Sequence, residues 1–219
     1  MCTPHPALYP DLASNVAAAR TETDEIPAER AAALEQLASF IRNRISAGEI
    51  AKVTFICTHN SRRSQMAQIW AQTAAHVFAV PRVEAYSGGT EATAFDPRAI
   101  AALERAGFRF DTGATGDNPV SLVRFADELD PVECFSKVYD EPPNPRRDFL
   151  AVMTCSQADS DCPIVAGASD RIAIPYEDPK AFDGTDQEAA KYDERCRQIG
   201  REMSYLFSRV SILPGRQWG

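Results

Sequence analysis

No apolar run in the 219-residue chain approaches the roughly 20 residues that a helix needs to cross a bilayer, so no membrane-spanning helix is expected. Basic charge is in deficit. Twenty-three Lys and Arg face 31 Asp and Glu, a formal net charge of −8, which argues against broad binding to nucleic acid or anionic membrane. Any anion site must then be a local positive feature in a negative field. The first twenty residues lack the basic start and apolar core of a signal peptide, and a cytoplasmic location is the expectation. Internal repeats and low-complexity tracts are also missing. The six cysteines, Cys2, Cys57, Cys134, Cys155, Cys162 and Cys196, come without the small size and leader of a secreted disulfide framework. They read as reduced thiols, and any disulfide among them as transient and catalytic.

What is present suits one good core: 44% hydrophobic and 25% charged residues. Residues 1–50 read as an N-terminal helical extension. Pro27 stands at a helix entry, and Leu34, Leu37, Phe40, Ile41 and Ile45 form an apolar stripe. That stripe fits either a helix packed on the domain or a dimer contact. From residue 52 strand and helix alternate. Strands are expected over 53–57, 83–86, 149–154 and 171–174. Helices are expected over 64–78, after Asp96-Pro97 with Gly107 past the end, and over 185–207. This alternation implies an α/β fold: a small four-stranded parallel sheet with helices on both faces and function at the strand carboxyl ends. The domain is expected over 51–210, with a tail over 211–219. Within it, 111–148 reads as an insert, one short helix over 122–129 and then a long loop. Such a segment serves as a lid or substrate wall, or as packed decoration.

The most informative string is Cys57-Thr58-His59-Asn60-Ser61-Arg62-Arg63-Ser64, directly after the strand 53–57. A cysteine, five residues and an arginine is the spacing of a thiol nucleophile beneath a tetrahedral oxyanion. A loop that short can curl its backbone N–H groups toward one point, and the helix that follows adds its N-terminus. Both features favour the thiolate and bind the anion. Thr58, His59, Asn60, Ser61, Arg62 and Arg63 are therefore the oxyanion-binding candidates. Cys57 is the nucleophile, Arg63 the planar fork on two oxyanion oxygens, Ser64 a hydroxyl that can reach back to the sulfur, and Asn60 a holder of the loop's shape. His59 invites a general-base role, but Arg63 and the helix end already favour the thiolate without it. Covalent cysteine chemistry on a phosphate-shaped substrate follows.

This loop resembles that of low-molecular-weight protein tyrosine phosphatases and of the arsenate reductases that share their fold. The likeness continues in Ser87-Gly88-Gly89-Thr90, Asp96-Pro97-Arg98-Ala99-Ile100 and Asp178-Pro179. The resemblance implies that Asp178 is the general acid for the leaving oxygen, which requires its pKa to rise. Some residues depart from the pattern. Arg62 stands where these families usually carry cysteine or an apolar residue, Gln68 replaces a common acid and puts a potassium site in doubt, and Lys180-Ala181-Phe182 replaces a tyrosine pair.

A second string, Val152-Met153-Thr154-Cys155-Ser156-Gln157-Ala158-Asp159-Ser160-Asp161-Cys162-Pro163, places two cysteines seven positions apart just past a strand end, where Cys155 can approach Cys57. It is similar to the redox loop of thioredoxin-coupled arsenate reductases. The resemblance implies a relay through Cys57, Cys155 and Cys162 that reduces arsenate to arsenite, with thioredoxin as reductant. Two structural cysteines, or a metal site with Cys57 or His59, are the plainer readings. A zinc site lacks a clear fourth ligand, so no metal and no cofactor are expected. The alternative function is a phosphatase of phosphotyrosine or small phosphoesters acting through a Cys57 phosphoenzyme, its cysteine pair shielding the nucleophile from oxidation. A non-catalytic oxyanion or redox sensor is a third reading, one that leaves Asp178 without a task. Cys134 and Cys196 read as core or bystander thiols.

Overall fold

The computed structural model describes residues 7–113, 116–161 and 164–211; Cys2 and Cys162 lie outside them. The chain runs α1 (Pro10–Thr21), α2 (Ala28–Ser46), β1 (Ala51–Cys57), α3 (Arg63–Val77), β2 (Val83–Gly89), α4 (Pro97–Arg105), β3 (Arg109–Thr112), β4 (Ser121–Arg124) and β5 (Val132–Cys134). It continues through β6 (Phe149–Met153), α5 (Ser156–Asp161), β7 (Ala168–Ala173) and α6 (Glu188–Ser211). The main sheet is parallel, in the order β2-β1-β6-β7. Its two central strands are almost wholly buried and almost wholly apolar, as strands covered on both faces must be. Val53, Phe55, Leu150 and Val152 pack on one side, toward α2, α3 and α6. Ile56, Phe149, Ala151 and Met153 pack on the other, around Ala158 of α5 and Val165. The four-stranded parallel sheet with helices on both faces is thus as expected.

The extension belongs to the same core. Leu34, Leu37, Ala38, Ile41 and Ile45 of α2 are buried with Phe55, Ile69 and Phe207, so the stripe is spent within the chain and is not a free dimer face. Helix α1 was not expected. Its signals are Pro10 in the first turn and Leu12, Val16 and Ala19 on one face. It docks where α4 ends: Gly107 has φ +102°, and a Cβ there would lie 2.3 Å from Leu12 N. Only glycine permits that turn and that approach together.

Two further expectations need correction. The helix anticipated over 122–129 is strand β4 and a turn. Leu122, Val123, Ala126 and Leu129 fit helical spacing, but Phe110 pairs with Val123 across an antiparallel β3-β4-β5 sheet, and long-range pairing overrides local spacing. The polar stretch after Cys155 was expected to be a loop, and its first residues form α5.

After β5 the insert returns to the main sheet. Gly89 N–H donates to Lys137 C=O (2.9 Å), Tyr139 N–H donates to Gly89 C=O (3.0 Å) and Asn144 Nδ2 donates to Ser87 C=O (2.8 Å). The segment therefore extends the carboxyl end of β2, beside the Cys57 loop. It packs there as a buttress behind the loop. Lys137 is buried there, its ammonium donating to Phe135 C=O at 3.2 Å and lying over the Phe135 ring. Burial pulls its pKa down to about 8, against the opposing influence of the Cys134 thiol. Between that value and the ordinary one of about 10.4, the unfolded chain binds a proton that the folded chain refuses. Stability contributed at this site therefore climbs as pH rises through that interval. Lys137→Met is expected to raise Tm by roughly 2–6 °C at neutral pH, with the gain shrinking toward nothing near the ordinary lysine pKa. Thermal melts of both proteins across that range check it, and an equal gain at every pH would show that the charge is irrelevant.

Candidate active site

The end of β1 delivers Cys57, and the chain then turns through Asn60, a non-glycine residue at φ 47°. Every carbonyl of the turn is tied outward. Thr58 C=O accepts from Glu91 N–H (3.0 Å) and the Thr90 hydroxyl (3.2 Å). His59 C=O accepts from the Ser136 and Thr93 hydroxyls (2.8 and 3.2 Å). Asn60 C=O accepts from Gln65 Nε2 (3.1 Å), Ser61 C=O from Asp96 N–H (2.9 Å) and Arg62 C=O from Met66 N–H (3.0 Å). In a trans peptide the C=O of one residue and the N–H of the next point in opposite directions. Pinning five carbonyls outward therefore turns the following N–H groups inward. Among the described residues, no protein acceptor meets the backbone N–H groups of residues 59–65. So many unpaired buried donors form a cradle for a tetrahedral anion.

The cradle is held from behind. Gly89 lies so close that a Cβ would sit 2.3 Å from Glu91 O and 2.6 Å from Thr58 O. The Asn60 side chain is fully buried; its Oδ1 accepts Lys137 N–H (3.0 Å) and its Nδ2 donates to Ser64 Oγ (2.8 Å). Because an amide nitrogen only donates, the Ser64 hydroxyl hydrogen is left for Cys57 Sγ, 3.1 Å away. The hydroxyl is thereby directed at the sulfur.

Arg63 donates through its Nη1 to Tyr176 C=O (2.9 Å) and through its Nη2 to Asp178 Oδ2 (2.6 Å). Its Nε is buried and without a partner among the described residues, a donor suited to an oxyanion. Arg62 departs from the expected role. Its side chain donates to Asp178 Oδ1 (3.1 Å) and Asp96 Oδ2 (2.9 Å), so only its backbone belongs to the cradle. His59 sits at the rim, paired with Glu91 at 2.9 Å, both side chains well exposed. Among the described residues, no group of three or more His, Cys, Asp or Glu side chains gathers as a metal site.

Asp178 caps a short 3-10 turn, Pro179–Phe182, and the sign of its shift corrects the expectation. Burial raises its carboxyl pKa, but the Arg63 and Arg62 charges outweigh burial and hold it below the usual carboxylate range. In this state it is an ionised partner of the arginines. The segment leading to it is braced from the extension: Arg30 of α2 lies over the Tyr176 ring and donates to Pro175 C=O, while the Tyr176 hydroxyl donates to Glu202 (2.8 Å).

Cys155 lies where the register puts it. Ile56 pairs with Met153, so Thr154 is level with Cys57 and Cys155 is one residue beyond. Its sulfur is buried, 3.6 Å from Thr58 Oγ1, and accepts Ala158 N–H at 3.3 Å. Cys57 and Cys155 are both free thiols in one apolar cluster; Cys162 lies outside the described residues. Cys134 and Cys196 are buried, each raised by that burial to about 12. Ser136, Lys137, Tyr176 and Glu202 were not anticipated as parts of the site. No local signal marks them, because each acts across more than two dozen residues of sequence.

Comparison with known proteins agrees. A family model described as low molecular weight phosphotyrosine protein phosphatase matches residues 52–124, from β1 through β4. The arsenate reductase of Halalkalibacterium halodurans is 28% identical over 152 residues, 69% of this chain and 91% of that protein. Arsenate reductase 2 of Staphylococcus epidermidis is 30% identical over 127 residues, 58% of this chain and 77% of that protein. A low molecular weight phosphotyrosine phosphatase from Vibrio cholerae O395 superposes with a TM-score of 0.50 at 14% identity, covering 72% of this chain and 95% of that one, a likeness of fold alone. The chain belongs to the low-molecular-weight phosphotyrosine phosphatase and arsenate reductase family of enzymes.

Proposed function

We propose that this chain reduces arsenate to arsenite by a relay through Cys57, Cys155 and Cys162. The Cys57 thiolate displaces an oxygen of arsenate and a sulfur–arsenic(V) bond forms; the oxygen leaves as water with a proton from Asp178, which takes that proton up once the oxyanion has drawn Arg63 away from its carboxylate. Cys155 attacks the Cys57 sulfur; that bond breaks, its electron pair stays on arsenic, and arsenite departs from a Cys57–Cys155 disulfide. Cys162 then attacks Cys155 and frees Cys57. A dithiol protein of the thioredoxin class reduces the Cys155–Cys162 bond and takes up the disulfide. What carries the reading is the Cys155 sulfur, buried beside the loop two residues past the end of β6. Simple phosphoester hydrolysis has no use for a thiol there.

One observation favours the second reading, a phosphatase acting through a Cys57 phosphoenzyme. Cys155 is sealed by folded α5, so the relay needs that short helix to open, whereas hydrolysis does not. Oxyanion binding is common to both readings, because phosphate and arsenate are near isosteres.

The deciding measurement is NADPH oxidation with thioredoxin, thioredoxin reductase and arsenate. Sustained turnover by wild type is expected to vanish in Cys155→Ser, while Cys57-dependent hydrolysis of an aryl phosphate stays within about twofold. No arsenate turnover, alongside intact hydrolysis, would make the chain a phosphatase. Asp178→Ala is expected to slow hydrolysis of an aryl phosphate by about 10²–10⁴-fold. A change of less than about threefold would remove Asp178 from the mechanism.

A further inference from the structure

Arg62 contributes its backbone to the cradle, yet its side chain is also buried and committed. It spans two carboxylates, Asp96 through Nη1 and Asp178 through Nε. Arg63 holds the other Asp178 oxygen. The two arginines thus grip opposite oxygens of one carboxylate, but they are not equivalent. Arg63 carries an unpartnered Nε and is the loop's anion-binding fork, so a bound oxyanion competes with Asp178 for it. Arg62 rests on a fixed support. Asp96 caps α4 by accepting Arg98 N–H at 2.9 Å, and its own N–H donates to Ser61 C=O.

We propose that Arg62 is a positioning residue for Asp178, holding its carboxyl beside the Cys57 loop whether or not an oxyanion has engaged Arg63. The inference rests on the reading of Cys57 as nucleophile and Asp178 as general acid. In ester hydrolysis the phosphorus–sulfur bond forms as the phosphorus–oxygen bond breaks, and the Asp178 proton passes to the leaving oxygen. Arg62 faces the carboxylate that remains. Its charge favours that ionised form and opposes reprotonation, so Arg62 both aims the acid and narrows the pH range over which the acid is loaded. The charged and titratable groups gathered around this carboxyl and its arginines are Arg62 and Arg63, Asp96 at the cap of α4 and Arg98 within it, Asp183, Tyr192 of α6, and Lys180 and His59, which line one recess with Arg62. Arg98 is shared among Asp96, Asp183 and Glu188, and Tyr192 donates to Asp183. Among the described residues, only the two loop arginines bond the Asp178 carboxylate through their side chains, and the Lys180 N–H donates to its Oδ1 (3.1 Å). The consequence is selectivity: substrates whose leaving oxygen needs a proton are penalised as pH rises, and those with acidic leaving groups are spared.

The test compares the wild-type chain, Arg62→Met and Arg62→Lys on phenyl phosphate and para-nitrophenyl phosphate across the acid-to-neutral range. For phenyl phosphate, Arg62→Met is expected to move the alkaline limb of kcat up by about one pH unit. Its acid plateau should fall about tenfold more than that for the nitrophenyl ester, which depends less on the acid. Arg62→Lys keeps the charge but loses the fork. Its limb should stay near that of wild type while the phenyl plateau still falls, which decides the matter even where Arg62→Met folds poorly. Equal losses on both esters with an unmoved limb in both variants would overturn the inference and leave Arg62 as scaffold. Absence of Cys57-dependent hydrolysis of both esters by wild type would overturn the reading of the site itself, and the inference with it.

Discussion

The orientation of five consecutive carbonyls between Cys57 and α3 governs the rest of the site. They are anchored to four parts of the molecule: the turn after β2, the insert, the N-terminus of α4 and the first turns of α3. Because the two ends of a peptide unit point in opposite directions, these outward anchors and the inward donors are one constraint. Nothing inside the loop could impose it. The surroundings do, and the anion cradle costs no reorganisation when substrate arrives.

Charge is handled in the same local way. The chain is strongly acidic overall, yet the cradle is lined with donors and flanked by two arginines. Asp178 and Asp96 keep those arginines in place without substrate. A buried arginine with no partner would be costly, so the carboxylates make an anion site tolerable inside an acidic protein. The same pairing holds Asp178 ionised at rest, and an arriving oxyanion must compete with it for Arg63.

The segments outside the minimal sheet serve the site as well. The insert supplies Ser136 and Lys137 to the back of the loop. The extension supplies Arg30, which braces the segment leading from β7 to Asp178. Both bury side chains in the common core, and each links the stability of the fold to the shape of the active site.

The sequence by itself determined the parallel sheet, the loop that joins Cys57 to Arg63, and the capped start of α4. These are local: a buried apolar run, a six-position spacing and an Asp-Pro pair each act over a few residues. Sequence reasoning missed α1, the β3-β4-β5 sheet and α5. Short segments of mixed spacing take their form from partners far along the chain, as Val123 does from Phe110. The tertiary structure alone decided the ionised state of Asp178, because two guanidinium groups more than 110 positions away reach it only after folding. The string put Cys155 just past a strand end, within reach of Cys57, but the β1–β6 register and the burial of its sulfur came only from the packed sheet.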